Sequence, residues 1–168
     1  MRKWWHEAWL MGLNNPTDRT FVVEDTENDN RIVAFSRWMV PQQDGNQERI
    51  WPSLDQGPAD MEVAGSFFGG MEESRHKAMG SKPHWMLELL GVDERYQKSG
   101  IGASLIKWGT DQADKSGLPT YLDASEIGQP YYTSRHSFVL AQDIKIPDRP
   151  AYGTFTYKSL VRPPKGKA

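Results

Sequence analysis

Cysteine is absent from all 168 residues. That excludes disulfides, thiolate metal ligands and a cysteine nucleophile. It also suits an intracellular chain, for which a cytoplasmic location is expected. No apolar run reaches the roughly 18 residues of a membrane-crossing helix. The opening Met-Arg-Lys-Trp-Trp-His-Glu puts charges where a signal peptide carries its apolar core, so neither a membrane partner nor secretion is expected. Neither charge sign dominates: 20 Lys and Arg against 22 Asp and Glu leave a net charge of −2, which speaks against a nucleic-acid partner. Histidine is sparse and scattered, at His6, His76, His84 and His136. His6-Glu7 begins a His-Glu-x-x-His pattern, but Leu10 stands where the second histidine belongs, so no metal is expected. No internal repeat is visible.

What is present fits one domain spanning 1–168, with 38% apolar and 25% charged residues and seven tryptophans. Residues 2–14 carry Trp4, Trp5, Ala8, Trp9 and Leu13 at one-sided helical spacing. Strands are expected over 21–25 and 31–40, joined by the polar turn 26–30. Residues 41–60 read as a long loop with one apolar island, Ile50-Trp51-Pro52. A helix follows over 59–79, and Gly65, Gly69 and Gly70 raise the prospect of two shorter ones. The rest reads as strand 84–92, helix 100–116 ending at Gly117, strand 120–124, helix 126–136 capped by Ser125, then antiparallel strands 138–146 and 153–161. Residues 162–168 form a basic tail expected to fray. The order predicts a mixed α/β fold with helices on both faces of one sheet.

The stretch from Trp85 to Gly109 organises the chain. An apolar strand, a polar loop with two glycines and an amphipathic helix together aim backbone N–H groups at an anion. The dinucleotide fingerprint fails, because Leu105 stands where Gly-x-Gly-x-x-Gly needs its third glycine. A P-loop fails too, because no Gly-Lys-Ser or Gly-Lys-Thr occurs. What remains is Gln97-Lys98-Ser99-Gly100-Ile101-Gly102. It resembles the Gln/Arg-x-x-Gly-x-Gly/Ala signature of the GCN5-related N-acetyltransferase (GNAT) superfamily, with the strand before it and the helix after it. The text His-Trp-Met-Leu-Glu-Leu-Leu-Gly-Val and Lys-Trp-Gly in the helix resembles a fungal subgroup.

The resemblance, over about 16–161, implies a central mixed, mostly antiparallel sheet flanked by helices and an acetyl-CoA donor. Pyrophosphate would rest on the turn of Gln97, Lys98, Ser99, Gly100, Ile101, Gly102 and Ala103. The pantetheine arm would run along Leu89, Leu90 and Val92, with Gly91 suited to the bulge that the family carries on this strand. Lys98 is equally readable as a solvated side chain, and the apolar strand residues as plain core.

Acyl transfer to an amine must remove a proton from nitrogen and supply one to sulfur. Without cysteine, direct attack by the acceptor is the simplest route. The family places a tyrosine in a Pro-x-Tyr segment, matched here by Pro130-Tyr131-Tyr132, so Tyr132 is the candidate acid, Tyr131 the fallback, and aromatic packing the bland alternative. Glu88, inside an apolar strand, is the candidate base or else half of a structural ion pair. Asp123 and Glu126 are weaker candidates near the end of the next strand. Trp4, Trp5 and Trp9 read as core or lid. Two departures stand out. The family's opening strand and helix are missing before residue 2, on the acceptor side, where an exposed sheet edge is compatible with a monomer or a homodimer. Ser137-Phe138 replaces the family's Gly-Phe. A CoA-binding protein without transferase activity and an enzyme with repurposed chemistry therefore stay open. So does the acceptor: a small amine, an antibiotic-like molecule, a polyamine or a peptide N-terminus.

Overall fold

In a computed structural model that describes residues 2–45, 51–53 and 60–166, the chain runs α1 (Arg2–Asn14), β1 (Asp18–Asp25), β2 (Arg31–Met39), α2 (Met61–Met79), β3 (Trp85–Val92), α3 (Ile101–Ser116), β4 (Thr120–Ser125), α4 (Gln129–His136), β5 (Val139–Arg149) and β6 (Gly153–Arg162). A single 3₁₀ turn, Glu94–Tyr96, lies between β3 and α3. One six-stranded sheet has the order β1-β2-β3-β4-β6-β5. Every neighbouring pair is antiparallel except β3 and β4. The mixed, mostly antiparallel sheet with flanking helices is the architecture expected from the sequence.

Alternation on β2 shows how both faces are covered. Arg37 and Trp38 are adjacent and fully buried, so they point to opposite faces. Arg37 Nη1 donates to the Ala8 carbonyl of α1 at 3.3 Å, and Trp38 Nε1 donates to the Leu105 carbonyl of α3 at 3.3 Å. Around Trp38 the core gathers Leu87, Ile106, Leu122, Phe138 and Leu160. Gly109 lets α3 approach: a Cβ there would lie 2.4 Å from the Trp38 ring.

Several boundaries differ from expectation. β1 begins at Asp18 rather than Phe21, because ladder pairing of Asp18 with Met39 extends the strand past its apolar pattern. Residues 61–79 form one helix, not two. Asp60 caps it by accepting from Val63 N–H, and Gly70 meets β5 so closely that a Cβ would fall 2.7 Å from Ile144 Cγ2. Tertiary contact thus outweighs the helix cost of glycine. α4 starts at Gln129, because Ser125 Oγ accepts from Gly128 N–H and closes a turn first. β5 and β6 run longer than expected, and Arg162 is the last residue of β6 instead of the first of a frayed tail. Its guanidinium makes two 2.8 Å bonds to Asp114, which also accepts from Lys165 N–H. In the expected 41–60 loop, 46–50 and 54–59 lie outside the described residues. Within it, Pro52 is tied to α1 by Trp4 Nε1, which donates to its carbonyl at 2.8 Å, and Trp51 stacks on Trp4. Among the described residues no helix is long and apolar enough to cross a membrane.

Candidate active site

The site begins where two strands part. β3 and β4 pair only from Trp85 to Leu87 against Thr120 to Leu122. Beyond Leu87, β3 has no ladder partner on that side among the described residues. The opening starts at a bulge. Arg37 pairs with Leu89 and Trp38 with Leu87, so Glu88 is the extra residue. The bulge expected near Gly91 is therefore three residues earlier: Gly91 pairs regularly with Phe35. Its missing side chain serves packing instead, since a Cβ would lie 2.6 Å from the Phe35 ring. A bulge bends its strand and sharpens the local twist, which turns the end of β3 away from β4.

A cleft of about 870 Å³ lies at this opening, and Leu90, Val92, Gln97, Lys98, Gly100, Gly102 and Ala103 all line it. Its loop is pinned by side chains. Gln97 Nε2 donates to the Val92 carbonyl at 3.2 Å, and Tyr96 Oη donates to Asp25 at 2.5 Å. Lys98 at φ +62° and Gly100 at φ +90° are both left-handed. Gly100 is the N-cap of α3 and offers no side-chain bond to it, which leaves the first-turn N–H groups for an outside acceptor. A Cβ at Gly100 would meet nothing within 4 Å, and one at Gly102 only Val92 Cγ2 at 3.6 Å, so ligand atoms have room to reach the backbone. These features fit a pyrophosphate. Three expected residues, Leu89, Ser99 and Ile101, are not on the cleft wall. Ser99 Oγ is turned to the Tyr96 carbonyl at 2.5 Å, and Ile101 is the first residue of α3. Leu89 lines the neighbouring cavity.

Arg135 and His136, which the sequence reading passed over, also line the cleft from the last turn of α4. Their only signal was a basic pair ending a short helix. Burial, then the nearby Arg162 charge, pulls the His136 pKa below its ordinary value.

The second cavity, about 360 Å³, is walled by Trp5, Trp51, Phe67, Phe68, Met71, Leu89, Tyr132 and Tyr157, with Glu72, Arg75, Glu88 and Asp123 among them. It shares Leu90 and Gly128 with the cleft, so the two spaces adjoin.

Three ionisable groups there differ sharply. Tyr132 packs against Phe138 and Tyr131, each at 5.9 Å between ring centres. Its hydroxyl has no hydrogen bond among the described residues, and burial with its tyrosine neighbours pushes its pKa up to about 12. Packing and availability for proton donation therefore coexist. Glu88 accepts from Arg37 Nε at 2.5 Å, with both side chains almost wholly out of solvent. Arg37 is held in turn by the Ala8 carbonyl and by the Trp9 ring, 5.0 Å away. The ion-pair alternative for Glu88 is thus what the geometry contains. Asp123 differs. Its Oδ1 accepts from Tyr121 Oη and Ser159 Oγ, both at 2.8 Å, while Oδ2 is buried with no hydrogen-bond partner among the described residues. Burial raises its pKa to about 6, against the pull of the two hydroxyls and of Arg75. Glu126 pairs with Lys158 at 3.7 Å and lines neither space.

The arrangement is one backbone-lined anion cleft joined to one aromatic cavity holding a carboxylate and a tyrosine. Solved structures share the fold. The histone acetyltransferase HPA2 and related acetyltransferase structure from Corynebacterium glutamicum superposes with a TM-score of 0.60 at 17% identity, over 99% of this chain and 76% of that one. NAA60 of Arabidopsis thaliana in complex with acetyl-CoA gives 0.61 at 15% identity, over 95% and 84%. The ribosomal-protein-S18-alanine N-acetyltransferase of Escherichia coli gives 0.58 at 14%, over 96% and 79%. At such identities these matches establish the fold. The model of the acetyltransferase (GNAT) family matches residues 2–138, and the chain belongs to that family.

Proposed function

We propose that the protein transfers the acetyl group of acetyl-CoA to a primary amine by direct attack, with Tyr132 as acid and Asp123, rather than Glu88, as the proton acceptor. The observation that carries this reading is the junction of the two spaces at Leu90 and Gly128, with Tyr132 and Asp123 both on the cavity wall and neither the Tyr132 hydroxyl nor Asp123 Oδ2 hydrogen-bonded among the described residues. The N–H groups around Gly100–Ala103, with Lys98 and Arg135, suit the pyrophosphate, and the unpaired edge of Leu89 to Val92 suits the pantetheine amides.

Bound there, acetyl-CoA supplies an activated thioester whose C–S bond breaks as the amide C–N bond forms. Asp123 Oδ2 takes one proton from the incoming ammonium and later releases it to solvent. Tyr132 Oη gives its proton to the departing sulfur and recovers one from the nitrogen that has become the amide. Nitrogen thus loses two protons, one to sulfur and one to solvent. Glu88 neutralises Arg37 and holds the bulge that parts the strands.

Calorimetric titration with acetyl-CoA, followed by acceptor-dependent release of free CoA, tests the reading. Binding and release are expected. Binding without release for any amine would leave a CoA-binding protein, and absence of binding would remove both.

A further inference from the structure

We infer, resting on the transferase reading above, that the acceptor is a monoamine on a compact aromatic or branched apolar body, and that Asp123 and Phe67 select it. Charge counting comes first. Among the described residues the cavity wall holds three carboxylates and one guanidinium. Glu72 accepts from Arg75 at 2.5 Å and from His76 at 2.8 Å, and Glu88 is matched by Arg37 outside the cavity. Asp123 is the carboxylate of this wall that has no ion pair among the described residues, and its Oδ2 accepts no hydrogen bond from them. The groups around Asp123 are Arg75 and Glu72 from α2, Tyr121 beside it on β4, and Ser159 and Tyr157 from β6. Among these described groups one carboxylate charge, that of Asp123, is left for one cation. A second ammonium would be buried without a counter-charge from the described residues, which is strongly unfavourable. Polyamines and polycationic sugars are excluded on that ground.

Wall chemistry comes second. Phe67 contacts Tyr157 at 4.9 Å and Phe68 at 5.1 Å, and Phe68 contacts Trp51 at 5.2 Å between ring centres. Such interlocked rings have fixed faces, which favour an apolar body and stabilise a nearby cation. The wall supplied by α2 offers no main-chain partners, because a helix spends its interior backbone groups on itself. A peptide acceptor needs such partners along its length. Phe67, held between Tyr157 and Phe68, is the specificity residue.

The test compares 2-phenylethylamine, spermidine and Ala-Ala-Ala as acceptors at saturating acetyl-CoA. It adds titrations of 2-phenylethylamine and of the uncharged 2-phenylethanol into protein saturated with CoA. The expected kcat/KM for 2-phenylethylamine exceeds the other two by about 100-fold. Phe67→Ala raises its KM about tenfold, and Phe67→Leu, which keeps apolar bulk, recovers most of that loss. Wild-type protein prefers the amine to the alcohol about tenfold, and Asp123→Asn removes the preference. Equal or better turnover of spermidine or the tripeptide overturns the acceptor class while leaving the transferase reading intact. So does equal binding of amine and alcohol to protein that binds CoA. If CoA does not bind or no amine is acetylated, the transferase reading falls and takes this inference with it.

Discussion

The backbone-lined cleft and the aromatic cavity adjoin at Leu90 and Gly128 but are built by opposite means. Most of the cleft wall comes from one continuous stretch, Leu90 to Ala103, and its anion-facing part is backbone around Lys98 and Gly100. The cavity wall is assembled from α1, the 51–53 segment, α2, β3, β4, α4 and β6, and it works through side chains. A backbone cradle recognises a shape common to every nucleotide-bearing donor. A side-chain cavity is free to vary with its acceptor. The contrast extends to the cavity's two candidate bases: Glu88 is ion-paired to Arg37, whereas Asp123 is held by two hydroxyls and has no ion pair among the described residues.

That contrast is open to direct attack, beginning with the largest effect. Asp123→Asn should lower kcat by about 1,000-fold at pH 7 and leave acetyl-CoA affinity unchanged. A comparable loss of donor affinity would show that the two spaces are not separable. In the wild type, activity should fall as pH drops through about 6, because the base becomes protonated. The same group affects folding with a definite sign. Its folded pKa of about 6 lies above the ordinary 3.8, so its contribution to stability is full below pH 3.8 and is lost as pH rises through about 6. Asp123→Asn should therefore gain roughly 2–3 kcal/mol relative to wild type as pH rises across that window, read by denaturant melts. An inactive variant that is also more stable is what a strained catalytic carboxylate predicts.

Glu88→Gln should do the reverse, destabilising the fold by about 3 kcal/mol because Arg37 loses its counter-ion in a buried place. A denaturant melt unchanged from wild type, with activity lost, would return the base role to Glu88. Gly102→Glu places a carboxylate on the positive end of α3 and should weaken acetyl-CoA about 100-fold by calorimetry. It should leave amine binding to the cavity intact. Smallest is Tyr132→Phe, expected to lower kcat about 10- to 30-fold with donor affinity preserved. Equal turnover of this variant and wild type would remove Tyr132 as the acid and leave it as packing.

Much of the fold was legible because its signals are local. Periodicity placed α1 and α3, and the left-handed Gly117 ends α3 as its sequence position implied. The donor stretch was legible for the same reason: strand, loop and helix N-terminus are consecutive. The bulge was misplaced because Gly91 looked permissive. The partner strand decided the matter, with the Phe35 ring claiming the space at Gly91 and the register slipping at Glu88. The surroundings of Asp123 were illegible for a related reason. Nothing in Thr120-Tyr-Leu-Asp-Ala reveals that Tyr121 and Ser159 will occupy one carboxylate oxygen and leave the other bare.

Sequence alone determined the strand, loop and helix N-terminus around Gly100, since backbone N–H groups at a helix N-terminus are fixed by residues that neighbour one another along the chain. The structure alone decided the aromatic cavity. Whether a buried carboxylate is an ion pair or a base depends on which distant side chains reach it, here Arg37 for Glu88 and two hydroxyls for Asp123. Those distances are set by packing across the sheet, which no local pattern encodes.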